Sequence, residues 1–425
     1  MPTTLHVGAG RRLQIETEAE IGSPGASGVA DVPAAECAAA AARQPLGYPP
    51  LSACLVPDDR VAIALGEGVP CFEEMLAGLV TALEDAGVDP GAVTIVAADR
   101  RDAEHLMTSP LGNRCEVVSH DASDDEQLCF AGVTHSEQQV LLNRRLVDAD
   151  VVIPLTCARG PSDGSAGGGG VFADLYPAFA DATAWQTPPT TRASCDGHRF
   201  TSLSDEVGWL LGCTLVAQAV PSRTGGVAAV FVGPPEAVQT AAQDLTARLW
   251  RQAVNRRANL VIATLSGDCR EQTWENVGRA VELAERLTSD GGALALCTEL
   301  DEPLDDSLAA VLACGDPDQA YRVLASSDAP GASAAAKLLS AQERGPVYFM
   351  SHLPPDWVEE VGLAPVADEA ELSRLASRRT TCIIVEGAQH ATVDLVEDPG
   401  DLAEEPGPNG KPLAAPKAAQ LPGER

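Results

Sequence analysis

The stretch "DADVVIPLTCARGPSDGSAGGGGVFADLYP", Asp148 to Pro177, decides how the fold is read. Its first part, Val151–Leu155, is a continuous apolar run of strand length, the pattern of a strand covered on both faces. Its second part carries four consecutive glycines, Gly167 to Gly170. A Gly-rich turn after a buried parallel strand is where α/β proteins hold phosphate groups. From Gly160 to Pro177, however, there is no lysine, arginine or histidine. The loop matches neither GxxxxGK[ST] nor GxGxxG. Two readings stand side by side. Gly164, Gly167, Gly168, Gly169 and Gly170, with Ser165, form a cradle whose backbone amides approach a ligand, or they form a plain turn. Of the loop's polar side chains, Asp163 and Ser165 are the candidates for taking part. Asp163 acts as a base if burial raises its pKa, or both residues close the turn by accepting from backbone amides.

Outward from this stretch, strands alternate with helices. "RVAIALG" (Arg60–Gly66), "AVTIVAA" (Ala92–Ala98) and "CEVVSHD" (Cys115–Asp121) have strand length and apolar character. Between the first two, Phe72, Met75, Leu76, Leu79, Val80 and Leu83 recur at helical spacing, and Gly87 supplies a stop. "EQQVLLNRRL" reads as a short helix or an extended entry. Past Cys195 the pattern becomes a helix and two antiparallel strands, then a helix over Pro235–Val254. A second α/β series follows, with strands at Ala258–Leu265, Gly291–Leu300, Gly345–Leu353 and Thr380–Ala388 and a helix at Trp274–Thr288. The expected class is α/β, in two domains, each with a mostly parallel sheet flanked by helices and with a cleft between them. The division falls at 1–255, 256–393 and a Pro-, Gly- and acid-rich tail at 394–425 that reads as disordered.

The 61 acidic against 29 basic residues give a net charge of −32. Such a surface repels phosphodiester backbones and anionic membranes, so neither nucleic acid nor membrane is an expected partner. No apolar run reaches the length of a membrane span, and the N-terminus turns polar too early for a signal peptide, which leads us to expect a soluble cytoplasmic protein. The twelve cysteines form no CxxC pair, and the seven histidines form no HxH or HxxxH, so no local metal motif exists.

The order of several segments is similar to that of one family. "QPLGYPPL" (44–51), "LEDAGVDPGAVTIVAA" (83–98), "VVSHDASDDEQLCFAGVTHS" (117–136), "LLNRRLVDADVVI" (141–153), "SDGSAGGGG" (162–170), "RANLVIATLSGD" (257–268) and "GGALALCTEL" (291–300) resemble, in sequence order, segments of the nickel-pincer lactate racemases. The likeness runs from about Gln44 to Gln389. It implies a two-domain α/β protein with its site between the domains, acting on lactate or a related 2-hydroxy acid. In that family a nickel pincer nucleotide is tethered to a lysine at the end of the Gly-rich loop, and flanking histidines serve as base, acid and nickel ligand.

Residue by residue, the reactive groups are missing here. The tethering lysine falls at Gly170, the preceding histidine near Gly160, and no histidine lies between His135 and His198. The family's DxTRP becomes "GEGVP" (Gly66–Pro70), and GxHR becomes "ADRRDAEH", with Arg100 or Arg101 as the stand-in arginine and His105 displaced. QAxK maps onto "NVGR", making Asn276 and Arg279 substrate-binding candidates, with Glu299 at the acidic position of the next segment. Asn276 and Arg279, three apart on one helix face, either grip a carboxylate or leave Arg279 as a surface charge. Transfer of a hydrogen needs a group that titrates near neutrality. The catalytic candidates are Asp163, His105 and His120, with His198 also within reach; His120 otherwise satisfies a loop carbonyl, and Asn143 and Arg144 bridge loops. No metal site and no cofactor is assigned. The expected ligand is a small hydroxy acid or anion. The protein is then a divergent racemase-type isomerase without the nickel-pincer chemistry, or a non-catalytic anion-binding or regulatory relative of the same fold.

Overall fold

The computed structural model describes residues 3–16, 20–22, 31–56, 58–160, 170–186, 193–195, 198–200, 203–324, 327 and 331–395 of the 425-residue chain. Two six-stranded sheets dominate. The first runs, in spatial order, Val227–Gly233, Val216–Pro221, Val151–Cys157, Val61–Leu65, Val93–Ala97 and Glu116–Ser119. All neighbours are parallel except the first pair, which is antiparallel. The second runs Ala364–Pro365, Val347–Met350, Thr288–Cys297, Ala258–Thr264, Thr381–Val385 and Glu20–Gly22, parallel throughout.

Alternation along Val61–Leu65 shows how the first sheet is covered. Val61, Ile63 and Leu65 pack with the helices Ala34–Arg43 and Phe72–Asp85 on one face, while Ala62 and Ala64 meet Val171, Phe172, Leu175 and Phe179 on the other. The helix Phe72–Asp85 buries the spacing read from the sequence, and Gly87 beyond its end takes φ +97°, which glycine adopts without strain.

The second sheet takes its cover from both ends of the chain. Helices Trp274–Leu287 and Ala332–Arg344 lie on one face with Val261 and Ala263. The other face, Leu260 and Ile262, packs against Leu5, Val7, Leu13 and Ile15 of an N-terminal hairpin, Thr3–Val7 with Arg11–Ile15. Glu20–Gly22 then adds a parallel edge strand beside Thr381–Val385. The expected first segment, 1–255, therefore gives the hairpin Thr3–Ile15 to the cover of the second sheet and Glu20–Gly22 to its edge. Each of those four apolar side chains, at most 3% exposed, contributes roughly 1.5–3 kcal/mol by leaving water.

Three boundaries move. The helix expected over Pro235–Val254 stops at Trp250, because Arg251–Val254 is extended and pairs in parallel with Thr392–Leu395. That pairing also carries ordered chain past residue 394, where the tail was expected to start; residues 396–425 lie outside the described part. The "EQQVLLNRR" segment resolves into a strand, Gln139–Asn143, followed by one helical turn, Arg144–Val147, and its hairpin partner is Leu128–Val133. Among the described residues no helix is long and apolar enough to cross a membrane.

Candidate functional site

In each sheet the strand order reverses direction once. In the first, the reversal lies between Val61–Leu65 and Val151–Cys157; in the second, between Ala258–Thr264 and Thr381–Val385. Open parallel sheets bind ligands beyond the carboxyl ends of their strands at such points. Here the two points face each other. Gly66–Gly68 and Arg159 come from the first, and Ser266–Asn276 and Gln389–His390 from the second. Arg101 reaches Glu302 at 2.7 Å across the junction, and the Arg270 guanidinium lies 5.4 Å from the Phe72 ring centre and 3.9 Å from Asp102.

Two arginines converge there. Arg159, 12% exposed, pairs with Asp174, 10% exposed, and donates from Nη2 to the Glu67 carbonyl oxygen at 2.8 Å. Burial works against its charge, and the Asp174 carboxylate outweighs that effect and raises its pKa. Its Nε is buried with no partner among the described residues. Arg279 donates to Asn276 Oδ1 at 2.7 Å and stands 3.5 Å from Glu275. Burial, and then the nearby Arg159 charge, lower its pKa. Asn276 is itself held: Nδ2 donates to the Glu271 carbonyl oxygen at 2.7 Å, and its backbone amide donates to Thr273 at the helix start. Gly68, at φ +63°, lies between the two sides. A methyl group there would stand 3.5 Å from Asn276 Nδ2 and 3.6 Å from Arg159 Nη2.

Around this pair three carboxyls are pushed up from the usual carboxylate range. Burial first, then Glu275 and Asp99, push Glu67 up to about 7. Burial, then Asp99, push Asp102 up to about 7. Glu271 is held well above the carboxylate range, by burial and then by Asp268. His390, 3.7 Å from Glu271, is driven down to about 3 by burial and by the repulsion of Arg159 and Arg279. Burial thus favours the neutral form of both members of that contact, which spares the buried protein the desolvation of two ions. A polar floor fixes these groups. Gln272 donates to the carbonyls of Ser266 and Gly267 and accepts from Thr298 and from the Glu299 amide.

Asn276 and Arg279 stand together in this cleft. Glu299 sits at its edge, where its carboxylate approaches Ala9 N at 3.4 Å. His105 is bound to Glu73 at 2.7 Å. His120 faces the Ala180 carbonyl at 2.9 Å and Asn143 at 3.2 Å, and burial lowers its pKa, so it satisfies a loop carbonyl. Arg144 donates to the carbonyls of Glu126 and Leu128, bridging loops. Arg100 pairs with Glu104 on its own helix, and Arg101 is taken up by Asp99 and Glu302. Asp163, Gly164, Ser165, Gly167, Gly168 and Gly169 lie outside the described residues; Gly170 is described, with Asp205 3.4 Å from where its Cβ would stand. His198 lies on the strand His198–Phe200, paired with Ala193–Cys195. The residues not foreseen are Glu67, Arg159, Asp174, Glu271 and His390.

The comparisons with known proteins agree with this fold. Residues 11–159 match the model of the lactate racemase N-terminal domain. Over that stretch the chain is lactate racemase-like. The fold of this lactate racemase-like chain is similar to that of the lactate racemase apoprotein from Thermoanaerobacterium thermosaccharolyticum, at a TM-score of 0.69 and 14% identity over 93% of this chain and 100% of the other. A protein from Thermotoga maritima is similar at a TM-score of 0.59 and 13% identity, over 81% and 96%. No curated protein matches the sequence of the lactate racemase-like chain.

Proposed function

We propose that this lactate racemase-like protein holds a small carboxylate of the 2-hydroxy-acid class on Arg279, Asn276 and Arg159, without the nickel-pincer chemistry of the family. The observation that carries this reading is that Arg159 and Asn276 stand beside the space that Gly68 leaves open, with the largely buried Arg279 guanidinium held on Asn276 from the second sheet. Paired N–H donors suit a planar carboxylate, and removal from water strengthens the attraction.

The residues present do not fit a lysine-tethered nucleotide. The chain has three lysines, Lys337, Lys411 and Lys417. Lys337 is engaged by Glu282 at 2.9 Å on the helix Ala332–Arg344, and the other two fall beyond the described residues. Among the described residues no three His, Cys, Asp or Glu side chains group as metal ligands. Among the described side chains, any isomerisation here would rely on carboxyls, because His105 and His120 are engaged elsewhere and burial disfavours the charged form of His390. The same placement of the histidines favours a second reading, a cleft that binds an anion without turning it over.

The test pairs binding with mass. Lactate at a hundredfold excess over its Kd should stabilise the protein by about 2.7 kcal/mol. Gly68→Ala should lose that stabilisation, because the methyl group occupies the ligand's space, and should itself cost ~1–2 kcal/mol through its positive φ. Protein incubated with the nickel pincer nucleotide should keep its unmodified intact mass. A covalent adduct, or a Gly68→Ala variant that binds lactate undiminished, would count against the reading.

A further inference from the structure

Glu67 follows the strand Val61–Leu65 directly and is only partly exposed, yet its carboxyl has no hydrogen bond or ion pair among the described residues. Its own carbonyl oxygen is taken by Arg159 Nη2, which fixes its backbone against the first guanidinium. The neighbouring Gly68 touches the space in front of Asn276 and Arg159. The charged groups facing the Glu67 carboxyl are Glu275 and Arg279 from the helix Trp274–Leu287, Asp99 after the strand Val93–Ala97, and Asp174 beyond the Gly-rich loop. Asp102 senses Glu67 in turn. Three of the four facing groups are acidic, so an arriving carboxylate adds like charge to a site that already resists a second anion.

We infer that Glu67 holds a proton opposite the bound ligand, so that the cleft takes up a small carboxylate together with one proton. The inference rests on the carboxylate-binding reading above and assigns Glu67 a positioning role within it. Protonated, Glu67 turns from a repelling anion into a neutral group with an O–H donor. In the free protein burial keeps this group at about 7. A bound anion raises it further, so above pH 7 each binding event must draw a proton from solvent. The affinity for a ligand that stays ionised then falls about tenfold per pH unit. Below pH 7 the proton is already in place and the affinity levels off.

Titration calorimetry with sodium lactate, in two buffers of different ionisation enthalpy at pH 8, counts the protons taken up. The wild-type chain should absorb close to one, and its affinity should fall about tenfold from pH 7.5 to 8.5. Glu67→Gln, which keeps the shape and a hydrogen-bond donor, should bind lactate with no uptake and no slope. Asp102→Asn, neutralising the other carboxyl of similar pKa, should retain both. Binding with no uptake by the wild type would overturn the inference without any variant, and leave the carboxylate site standing. Loss of the slope in Asp102→Asn rather than Glu67→Gln would overturn it as well. Absence of lactate binding by the wild type at every pH from 6 to 8 would remove the site itself, and the inference with it.

Discussion

Replacing Arg159 by methionine should destabilise the protein by about 3–5 kcal/mol at pH 7, because the change leaves the Asp174 carboxylate buried without its counter-ion. Asp174 is 10% exposed, and beyond Arg159 its other oxygen has, among the described residues, only the Cys157 amide, at 3.3 Å. The Glu67 carbonyl also loses a donor. Urea denaturation reads the loss directly. The double variant Arg159→Met, Asp174→Asn removes both charges, and most of the stability should return, since the main cost lies in the stranded anion. Lactate binding should not return with it. That split separates the two roles of Arg159: holding Asp174 and presenting charge to the cleft. A single variant as stable as the wild type would mean that solvent reaches Asp174 freely.

Trp250→Ala should cost a comparable ~3–5 kcal/mol, through a cavity rather than a charge. The indole is fully buried at the end of the helix Pro235–Trp250. Its Nε1–H donates to the Pro221 carbonyl at 2.9 Å, Arg223 lies 5.2 Å over the ring, and the His390 ring is 5.2 Å away. The Gly387 backbone packs so closely that a Cβ there would approach the indole at 2.7 Å. One side chain thus joins the last helix of the first sheet to the loop that carries His390. Trp250→Phe keeps most of the volume and should lose only about 1–2 kcal/mol, chiefly the hydrogen bond. Equal losses from the two variants would place the energy in the hydrogen bond rather than in packing.

The fold was legible where local pattern and burial coincide. Val61–Leu65 and Val151–Cys157 are continuous apolar runs because helices or loops cover both faces. The helix Phe72–Asp85 shows its period because one face alone is buried. The N-terminal hairpin also carried a signal, the alternation of Leu5 and Val7 with Leu13 and Ile15 around "GAG". Nothing nearby in sequence says that its apolar face meets Leu260 and Ile262 some 250 residues on.

The site divides in the same way. Asn276 and Arg279 were readable because their helical spacing puts them on one face and their segment resembles a family motif. Arg159 and Asp174 flank the Gly-rich loop, and no spacing rule pairs an arginine with an acid fifteen residues later through such a loop. Glu67 was read only as part of the "GEGVP" string that lacks the family motif's aspartate and arginine. Its unusual carboxyl comes from burial and from Glu275 and Asp99, which the fold brings together from distant segments. His390 was one scattered histidine until the second sheet placed it against Trp250 and Glu271.

A crystal soaked in lactate tests the central claim most directly. The ligand's carboxylate should lie between Arg279 and the Arg159 Nε, within reach of Asn276 and over Gly68. A carboxylate bound elsewhere, or a cleft filled by ordered water alone at saturating lactate, would contradict it.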